Sequence, residues 1–280
     1  MKNASLLLRI ANAVLALAIV ASLGALFLSS LACSAPTQPN TALDRDDSLA
    51  ILAIFKANRR PWPSETWRIE RGSSGHATGL QLFGLSLDTL PPDIRGLLDL
   101  ERLDVSDNRL RNLPKELEAL TALVELDAKR NKLTRLPDGL RLPHLDRLTL
   151  SYNLLTELPT NVEVLNITSL VLDSNRIRSL PPDLKYLEYL NNLSIRDNVL
   201  DSLPAEFGSD SHPYLKRLDV SGNNLVSLPA GITGFHLDYL DVGRNRICFP
   251  NPAQPDSSNG FMAQWLDSVD RDWRASQQCP

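Results

Sequence analysis

Leu100–Pro114 reads LERLDVSDNRLRNLP, and this stretch decides the fold. The same spacing of leucines, one asparagine and a closing Leu-Pro step returns in Leu145–Pro159 (LDRLTLSYNLLTELP) and in Leu190–Pro204 (LNNLSIRDNVLDSLP). Its general form is L-x-x-L-x-L-x-x-N-x-L-x-x-L-P. About eight copies, each of roughly 22 residues, run from Leu80 to Ile247, and a fixed period in this range predicts a solenoid.

The asparagine is the most regular position of the repeat. The seven asparagines are Asn108, Asn131, Asn153, Asn175, Asn198, Asn223 and Asn245, at spacings of 23, 22, 22, 23, 25 and 22 residues. Leu85 fills the same slot in a degenerate first copy. A chain that coils back on itself buries polar backbone at each turn, and buried polar groups need hydrogen-bond partners. One asparagine per coil can supply them, which predicts an asparagine ladder through the core.

The residues around the asparagine predict the rest of the coil. The L-x-L step before it has the period of two expected of a short strand with one buried face. The L-P step after it starts an extended or 3₁₀-like convex segment, because proline fixes φ and cannot donate to a ladder. Each coil should therefore contain one strand, one turn and one convex segment.

This pattern resembles the leucine-rich repeat family in its 23-residue Leu-Pro variety, over residues 80–250. The resemblance implies an α/β repeat fold, a leucine-rich repeat solenoid curved like a horseshoe with a parallel sheet on its concave face. The departures are small, such as Leu85 in the first asparagine slot and an insertion at residues 208–213.

Residues 46–79 are predicted to form an N-terminal helical cap, because solenoid ends expose core. An acidic start precedes apolar residues near helical spacing, and a Pro-rich connection with two tryptophans follows. These residues are Leu49, Leu52, Ile54, Phe55, Trp62 and Trp67. The stretch resembles the helix-plus-tryptophan cap of extracellular leucine-rich repeat proteins. A substrate site in this stretch is the alternative to a cap.

Residues 251–280 are predicted to form a C-terminal helical cap. Its apolar residues recur at helical spacing: Met262, Trp265, Leu266 and Val269. Cys248 and Cys279 are well placed for a disulfide that pins this helix over the last coil. Closing a loop of roughly 30 residues would add ~3–4 kcal/mol. Two free thiols are the alternative.

Residues 1–32 have the composition of a signal peptide, with a positive start, an apolar stretch over residues 13–28 and small residues before Cys33. The S-L-A-C sequence resembles a bacterial lipoprotein signal, in which the cysteine is lipidated and becomes the first residue. Three cysteines leave one over if two pair, and lipidation of Cys33 accounts for it. Residues 33–45 are then a tether. The protein is expected in the cell envelope, anchored to the outer membrane or at the cell surface. Ordinary cleavage with secretion, and an uncleaved anchor, are the alternatives.

The sequence contains no recognisable catalytic or metal-binding motif. Its four histidines show no metal-ligand spacing, and each is interpreted as a solvated or turn residue: His76, His144, His212 and His236. The formal net charge of −4 argues against nucleic acid as a partner. We therefore expect no enzymatic activity, no cofactor and no metal, and membrane contact only through the lipid anchor.

The strand residues between the leucines should point outward and form the binding surface. Seven strand-to-strand steps of about 4.8 Å span roughly 34 Å, which suits a protein edge or an extended polymer better than a small metabolite. Arginine and tyrosine are favoured at binding hot spots. The candidate contacts are a patch of Arg147, Tyr152, Val171 and Arg196, with Phe83 and Tyr239 as outlying aromatics. The alternative is that these side chains only solubilise the sheet.

Three functions remain open at this point. The first is a non-enzymatic protein-binding or scaffold module at the bacterial cell envelope. The second is a carbohydrate or cell-wall adhesin using the same face, although aligned aromatics are sparse in the sequence. The third is an enzyme or inhibitor with its active residues in a cap. A fold shared by many functions does not choose among them.

Overall fold

The computed structural model describes residues 43–61, 68–159, 166–247, 266 and 273–277. Within these residues the chain forms a nine-stranded sheet whose strands follow one another in sequence order. They are β1 (Arg68–Arg71), β2 (Ala77–Gln81), β3 (Arg102–Asp104), β4 (Glu125–Asp127), β5 (Arg147–Thr149), β6 (Ser169–Val171), β7 (Asn192–Ser194), β8 (Arg217–Asp219) and β9 (Tyr239–Asp241). Strands β2 to β9 are parallel, and β1 is antiparallel to β2.

Equivalent positions of successive coils lie in register. Leu103 of β3 pairs with Leu126 of β4, which pairs with Leu148 of β5. The middle leucine of each strand from β3 to β9 is buried, while its neighbours are half-buried or exposed. Short 3₁₀ helices follow the Leu-Pro step at Pro92–Gly96, Lys115–Ala119, Pro182–Tyr186 and Ala230–Gly234. The predicted solenoid with its parallel sheet is confirmed.

The asparagine ladder is also confirmed. Asn153 donates from Nδ2 to the carbonyls of Leu150, in its own coil, and Ala128, in the preceding coil, at 2.9 and 3.0 Å. Its Oδ1 accepts from the backbone N–H of Leu133 at 2.9 Å. All seven asparagines make this set of bonds, and each is 8% exposed or less. Each one therefore ties its own coil to the preceding one.

The turn into each asparagine is left-handed. The residue before it has positive φ in every coil: Gly84 before Leu85, then Asp107, Arg130, Tyr152, Ser174, Asp197, Gly222 and Arg244. The φ of Tyr152 is 57°. This conformation costs a non-glycine residue roughly 1–2 kcal/mol, and the hydrogen bonds of the ladder hold it in place. The side chain of Tyr152 is 55% exposed beside the sheet.

The first helix spans Arg45–Ala57, and its buried residues join the solenoid core. They are Ala50, Ile51, Ile54 and Phe55, together with the carboxylate residue Asp47. A helix is present where the apolar spacing predicted one; of the apolar residues at that spacing, Ile54 and Phe55 are buried, whereas Leu49 and Leu52 are 53% and 50% exposed. Ala50 faces the solenoid so closely that a Cβ at Gly96 would lie 3.3 Å from the Cβ of Ala50. The small residue, not the leucines, permits this approach.

Strand β1 covers the N-terminal edge of the parallel sheet. It pairs with β2 as an antiparallel hairpin with a bulge between Glu70 and Arg71. An uncovered edge offers unpaired backbone groups to other chains, so such a hairpin protects the edge on which it lies. The cap boundaries at residues 46–79 stay a prediction, and Trp62 and Trp67 lie outside the described residues.

A helical turn at Trp273–Ser276 is hydrogen-bonded to the last coil. The carbonyl of Ser276 accepts from the backbone N–H of Arg244 at 3.0 Å. Gln277 accepts from the N–H of Ile247 at 3.1 Å and donates to the carbonyl of Val242 at 3.0 Å. These backbone groups sit at the same repeat positions as those bound by each ladder asparagine. Gln277 therefore adds one further rung from outside the repeats.

The cysteine predictions are not tested by these contacts. Cys33, Cys248 and Cys279 lie outside the described residues, as do Met262, Trp265 and Val269. Leu266 is buried in the core cluster. The lipid anchor, the disulfide and the C-terminal cap of residues 251–280 therefore stay predictions.

Candidate functional site

The candidate site is the open face of the sheet, formed by the outward residues of β2 to β9 and by the two residues that precede each ladder position. Arg147 lies in β5 and Val171 in β6, while Tyr152 lies three residues after the end of β5 and Arg196 two residues after the end of β7. The predicted central patch therefore comes from three neighbouring coils, which span about 10 Å across the strands. The two outlying aromatics lie on coils at opposite ends of the face: Phe83 after β2 and Tyr239 in β9.

Small uncharged side chains lie at the centre of the open face, beside the charged residues Arg147, Asp173 and Arg196. The half-buried uncharged residues are Thr149, Ser169, Val171, Asn192 and Ser194. The amide of Asn192 donates to Ser169 Oγ at 2.9 Å, which links β7 to β6. Small side chains of this kind leave room for a ligand chain to approach the sheet.

Two arginines lie over the rings of exposed tyrosines. The guanidinium carbon of Arg130 is 5.4 Å from the ring centroid of Tyr152, and that of Arg217 is 4.7 Å from the ring centroid of Tyr239. Such cation–π contacts contribute roughly 0.5–1 kcal/mol at exposed sites and hold the rings in one orientation. Sequence reasoning missed both pairs. The row of residues before the asparagines contains Arg130 and Tyr152 as neighbours, and could have shown the first.

The two arginines of the central patch differ in how closely a neighbouring carboxylate holds them. Arg147 Nε is 3.7 Å from Asp146 Oδ2, with the arginine side chain 61% exposed. Arg196 Nε donates to Asp197 Oδ2 at 3.0 Å, and this hydrogen bond raises the pKa of Arg196. Arg147 is therefore the freer of the two to bind a partner.

Pairs of adjacent aspartates lie at both ends of the open face. Asp104 pairs in register with Asp127, and Asp219 pairs with Asp241. Each of the four accepts, through Oδ1, the backbone N–H two residues ahead, at 2.8–3.0 Å. Burial raises the pKa of Asp219; hydrogen bonds from Ser221 oppose this, and the nearby charge of Asp241 adds to the rise.

A hollow of about 170 Å³ opens at the N-terminal end of the face. Its polar lining is Glu70, Gln81, Arg102, Asp104, Glu125 and Asp127. Glu70 comes from the hairpin strand β1, which sequence analysis had assigned to the cap, and it accepts a hydrogen bond from Arg102 Nε at 3.2 Å. The lining therefore carries four carboxylates and one guanidinium.

Three groups that could hold a cation lie at the first helix. One ligand atom each from Asp44, Asp47 and His76 lies within 4.8 Å of the others. Asp47 is buried; its Oδ2 accepts from the N–H of Ala77 at 2.6 Å and is 3.4 Å from His76 Nδ1. Asp44 also caps the helix by accepting from the N–H of Asp46. These bonds link the first helix to β2. The sequence did not reveal this link, because Asp47 and His76 are 29 residues apart.

The interpretation of all four histidines as solvated or turn residues is wrong for His212, which is fully buried. Its Nε2 is 3.0 Å from the carbonyl of Leu184, and its ring lies 4.7 Å from that of Phe207. The insertion that starts at Gly208 folds back and carries the imidazole into the core. Burial lowers the pKa of His212, which favours the neutral ring.

We expect His76→Gln to destabilise the protein more at about pH 5.5 than at about pH 8.5. Desolvation lowers the pKa of His76, but the hydrogen bond and charge of Asp47, with the charges of Asp44 and Asp99, outweigh it and raise the pKa. A raised pKa stabilises the fold below the unfolded-state pKa, and that stabilisation is lost as pH rises through the folded-state value. Urea unfolding of the wild type and His76→Gln at both pH values measures the difference. The exposed His144→Gln is the control; a pH-independent difference for His76→Gln contradicts the expectation.

Two stretches of the chain, residues 99–120 and 214–235, match the family model described as Leucine Rich Repeat. Both lie within the coils that carry the asparagine ladder. The chain is a leucine-rich repeat protein. No curated protein matches it.

Solved structures of other leucine-rich repeat proteins resemble the chain. A plant peptide hormone receptor, RGFR1 in complex with RGF2, is 30% identical with a TM-score of 0.51, over 57% of this chain and 27% of the receptor. A TDR receptor is 26% identical with a TM-score of 0.55, over 60% of this chain and 30% of that one. The Leptospira interrogans LRR protein LIC12759 is 27% identical with a TM-score of 0.42, over 59% and 54%. The chain thus spans between about a quarter and just over half of these proteins.

Among the described residues, no helix is long and apolar enough to cross a membrane.

Proposed function

We propose that this leucine-rich repeat protein is a non-enzymatic binding module that holds another protein on the open face of its sheet. The central patch carries the proposal: Arg147 and Tyr152 are both more than half exposed beside the small neutral residues of β5 to β7. Exposed arginine and tyrosine around a neutral centre is the composition that binding hot spots favour. The plant receptor that the chain resembles is solved in complex with RGF2, which supports a peptide or protein as the ligand.

The proposed location is the bacterial cell envelope, at the outer membrane or the cell surface. Its support is the leader of residues 1–32 and the S-L-A-C sequence that ends at Cys33. A lipid on Cys33 would tether the repeats through residues 33–45, and a Cys248–Cys279 disulfide would suit an oxidising compartment. Secretion of the cleaved chain is the alternative location.

Affinity capture tests the binding function. The bait is the tagged full chain, exposed to solubilised cell envelope and, separately, to culture medium. A triple variant changes Arg147, Tyr152 and Arg196 to Ala. A matched control changes Arg135, Tyr186 and Arg141 to Ala, which are exposed residues of the same types outside the open face.

We expect a protein to be retained by the wild type and the control and at least about ten-fold less by the triple variant, because a few hot-spot residues dominate most interfaces. Equal retention by all three would place the binding surface elsewhere on the molecule. Capture from the envelope fraction alone supports the envelope location, and capture from the medium alone supports secretion.

A carbohydrate ligand is the second candidate, and one observation favours it. The rings of Tyr189 and Tyr214, from neighbouring coils, lie 6.2 Å apart with planes inclined by only 6°. Both side chains are more than half exposed. Aligned aromatic rings of this kind can stack on sugars, and the sequence did not reveal the alignment. Retention of polysaccharide alone in the capture experiment would favour this adhesin function.

A further inference from the structure

The outward row of residues that ends each strand on the open face changes chemistry along the sheet. The row begins with the uncharged Gln81 in β2, is acidic in β3 and β4, uncharged over the three central strands, and acidic again in β8 and β9. From β3 onward its members are Asp104, Asp127, Thr149, Val171, Ser194, Asp219 and Asp241. This row therefore has an uncharged centre between two pairs of adjacent aspartates.

Three of these four aspartates have no direct ion pair within the described part of the chain. Among the described residues, no basic nitrogen lies within 4.0 Å of the carboxylates of Asp104, Asp219 or Asp241, whereas Asp127 pairs with Lys129 at 2.8 Å. Like charges directly opposite each other on neighbouring strands destabilise a sheet. The half-buried position of Asp219 adds to that cost.

The backbone does not require these charges. The structural task of each aspartate is to accept an N–H through Oδ1, as Asp104 does from Ser106 and Asp219 from Ser221. An asparagine oxygen would accept the same bond without the repulsion. In Asp104, Asp219 and Asp241 the second carboxylate oxygen and the charge are thus left for a positively charged ligand, whereas Asp127 Oδ2 already accepts from Lys129 Nζ at 2.8 Å.

The hollow at the N-terminal end of the open face also favours a positively charged ligand. Four carboxylates line it, and its one cation, Arg102, already bonds to Glu70 and lies 3.3 Å from Glu101. A basic side chain entering the hollow would meet the carboxylate of Asp104, which has no ion-pair partner among the described residues, beside Glu125.

We infer that the ligand of the open face is an extended peptide segment lying across the strands, with a basic residue at each end and small neutral residues between them. The inference rests on the proposed protein-binding function and specifies the chemistry of the partner. Five strand steps separate β3 from β8, or about 24 Å, which an extended chain covers in about seven residues. Basic ends meet the acidic ends, and the neutral middle lies over Val171 and Ser194.

Isothermal titration calorimetry on the full chain, at roughly 20 mM salt, tests this inference with three synthetic peptides. The first has arginines at both ends of about eight residues, with alanine, serine and valine between them. The second replaces both arginines by citrulline, which has the same shape and no charge. The third keeps two arginines but places them side by side, so that total charge is equal and only spacing differs.

We expect the first peptide to bind at least about five-fold more tightly than either of the others. Asp104→Asn and Asp219→Asn should each weaken its binding about two- to five-fold at low salt, with the backbone hydrogen bond preserved. Asp93→Asn, an exposed residue of the 3₁₀ helix Pro92–Gly96, makes the same charge change off the face and should leave binding unaltered.

Equal binding of the citrulline peptide or of the close-spaced peptide would overturn the inference, as would an equal loss in Asp93→Asn or an absence of saturable binding. If the peptides fail while affinity capture still depends on Arg147, Tyr152 and Arg196, only the peptide chemistry is wrong. If both experiments fail, the proposed function is wrong as well.

Discussion

Asn153→Ala is expected to lower the free energy of unfolding by about 2–4 kcal/mol, because the change leaves the buried N–H of Leu133 without its partner, at ~1–3 kcal/mol, and removes one of the two asparagine donors from each of two buried carbonyls. Asn153 accepts from the N–H of Leu133 and donates to the carbonyls of Ala128 and Leu150. Both coils lose hydrogen bonds at once, in a site that is only 5% exposed. A loss of this size is a large part of the ~5–15 kcal/mol that stabilises a typical domain.

Chemical unfolding of the wild type and Asn153→Ala measures this loss, and Asn112→Ala is the matched control. Asn112 is an exposed asparagine of the second copy outside the ladder, so its removal should cost less than about 0.5 kcal/mol. Hydrogen exchange should locate the damage at the N–H of Leu133 and its neighbours, because each coil of a solenoid contacts only adjacent coils. Similar losses in the two variants would mean that the ladder contributes little to stability.

The repeat could be predicted because its physical requirements are local and recur every coil. Leucine alternation sets which side of a three-residue strand is buried, and Asn108 and its six equivalents bind backbone groups at fixed sequence offsets. Every coil with that spacing therefore forms the same asparagine-to-backbone hydrogen bonds. The register that pairs Leu103 with Leu126 follows directly from it.

The ends could not be predicted to the same depth, because their contacts depend on tertiary placement. Whether Leu52 or Ala50 faces the core depends on how closely the first helix approaches Gly96. The rung supplied by Gln277 joins residues about 30 apart without any repeat to mark them. His212 enters the core only because the insertion that contains it, residues 208–213, brings the imidazole to the carbonyl of Leu184.

The candidate site was predictable in outline only. The repeat fixes which residues face outward, so the rows containing Arg147, Tyr152 and Asp219 could be read from the sequence. Which charges are neutralised depends on side-chain geometry, and the structure alone separates the ion-paired Asp127 from Asp219. The contribution of Glu70 to the hollow depends on the hairpin strand β1, which follows no repeat.

We expect Phe55→Ala to cost about 3–5 kcal/mol, the usual range for removing a buried aromatic ring. Phe55 is 2% exposed in the helix Arg45–Ala57 and belongs to the core cluster. Its removal leaves a cavity between that helix and the first coil, and so weakens the protection of the N-terminal end of the solenoid. Leu52→Ala is the matched control in the same helix, because Leu52 is 50% exposed and its truncation should change stability by less than about 0.5 kcal/mol.

Urea unfolding compares the total cost of the two substitutions, and hydrogen exchange shows where it falls. Exchange in Phe55→Ala should rise in the helix, β2 and β3, with β8 and β9 protected as in the wild type, because coupling between coils passes only through neighbours. Equal costs for Leu52→Ala and Phe55→Ala would contradict the burial of Phe55, and not Leu52, in the core. If β8 and β9 lose protection equally, the coils unfold as one unit. Substitutions in the first helix would then destabilise every strand of the open face.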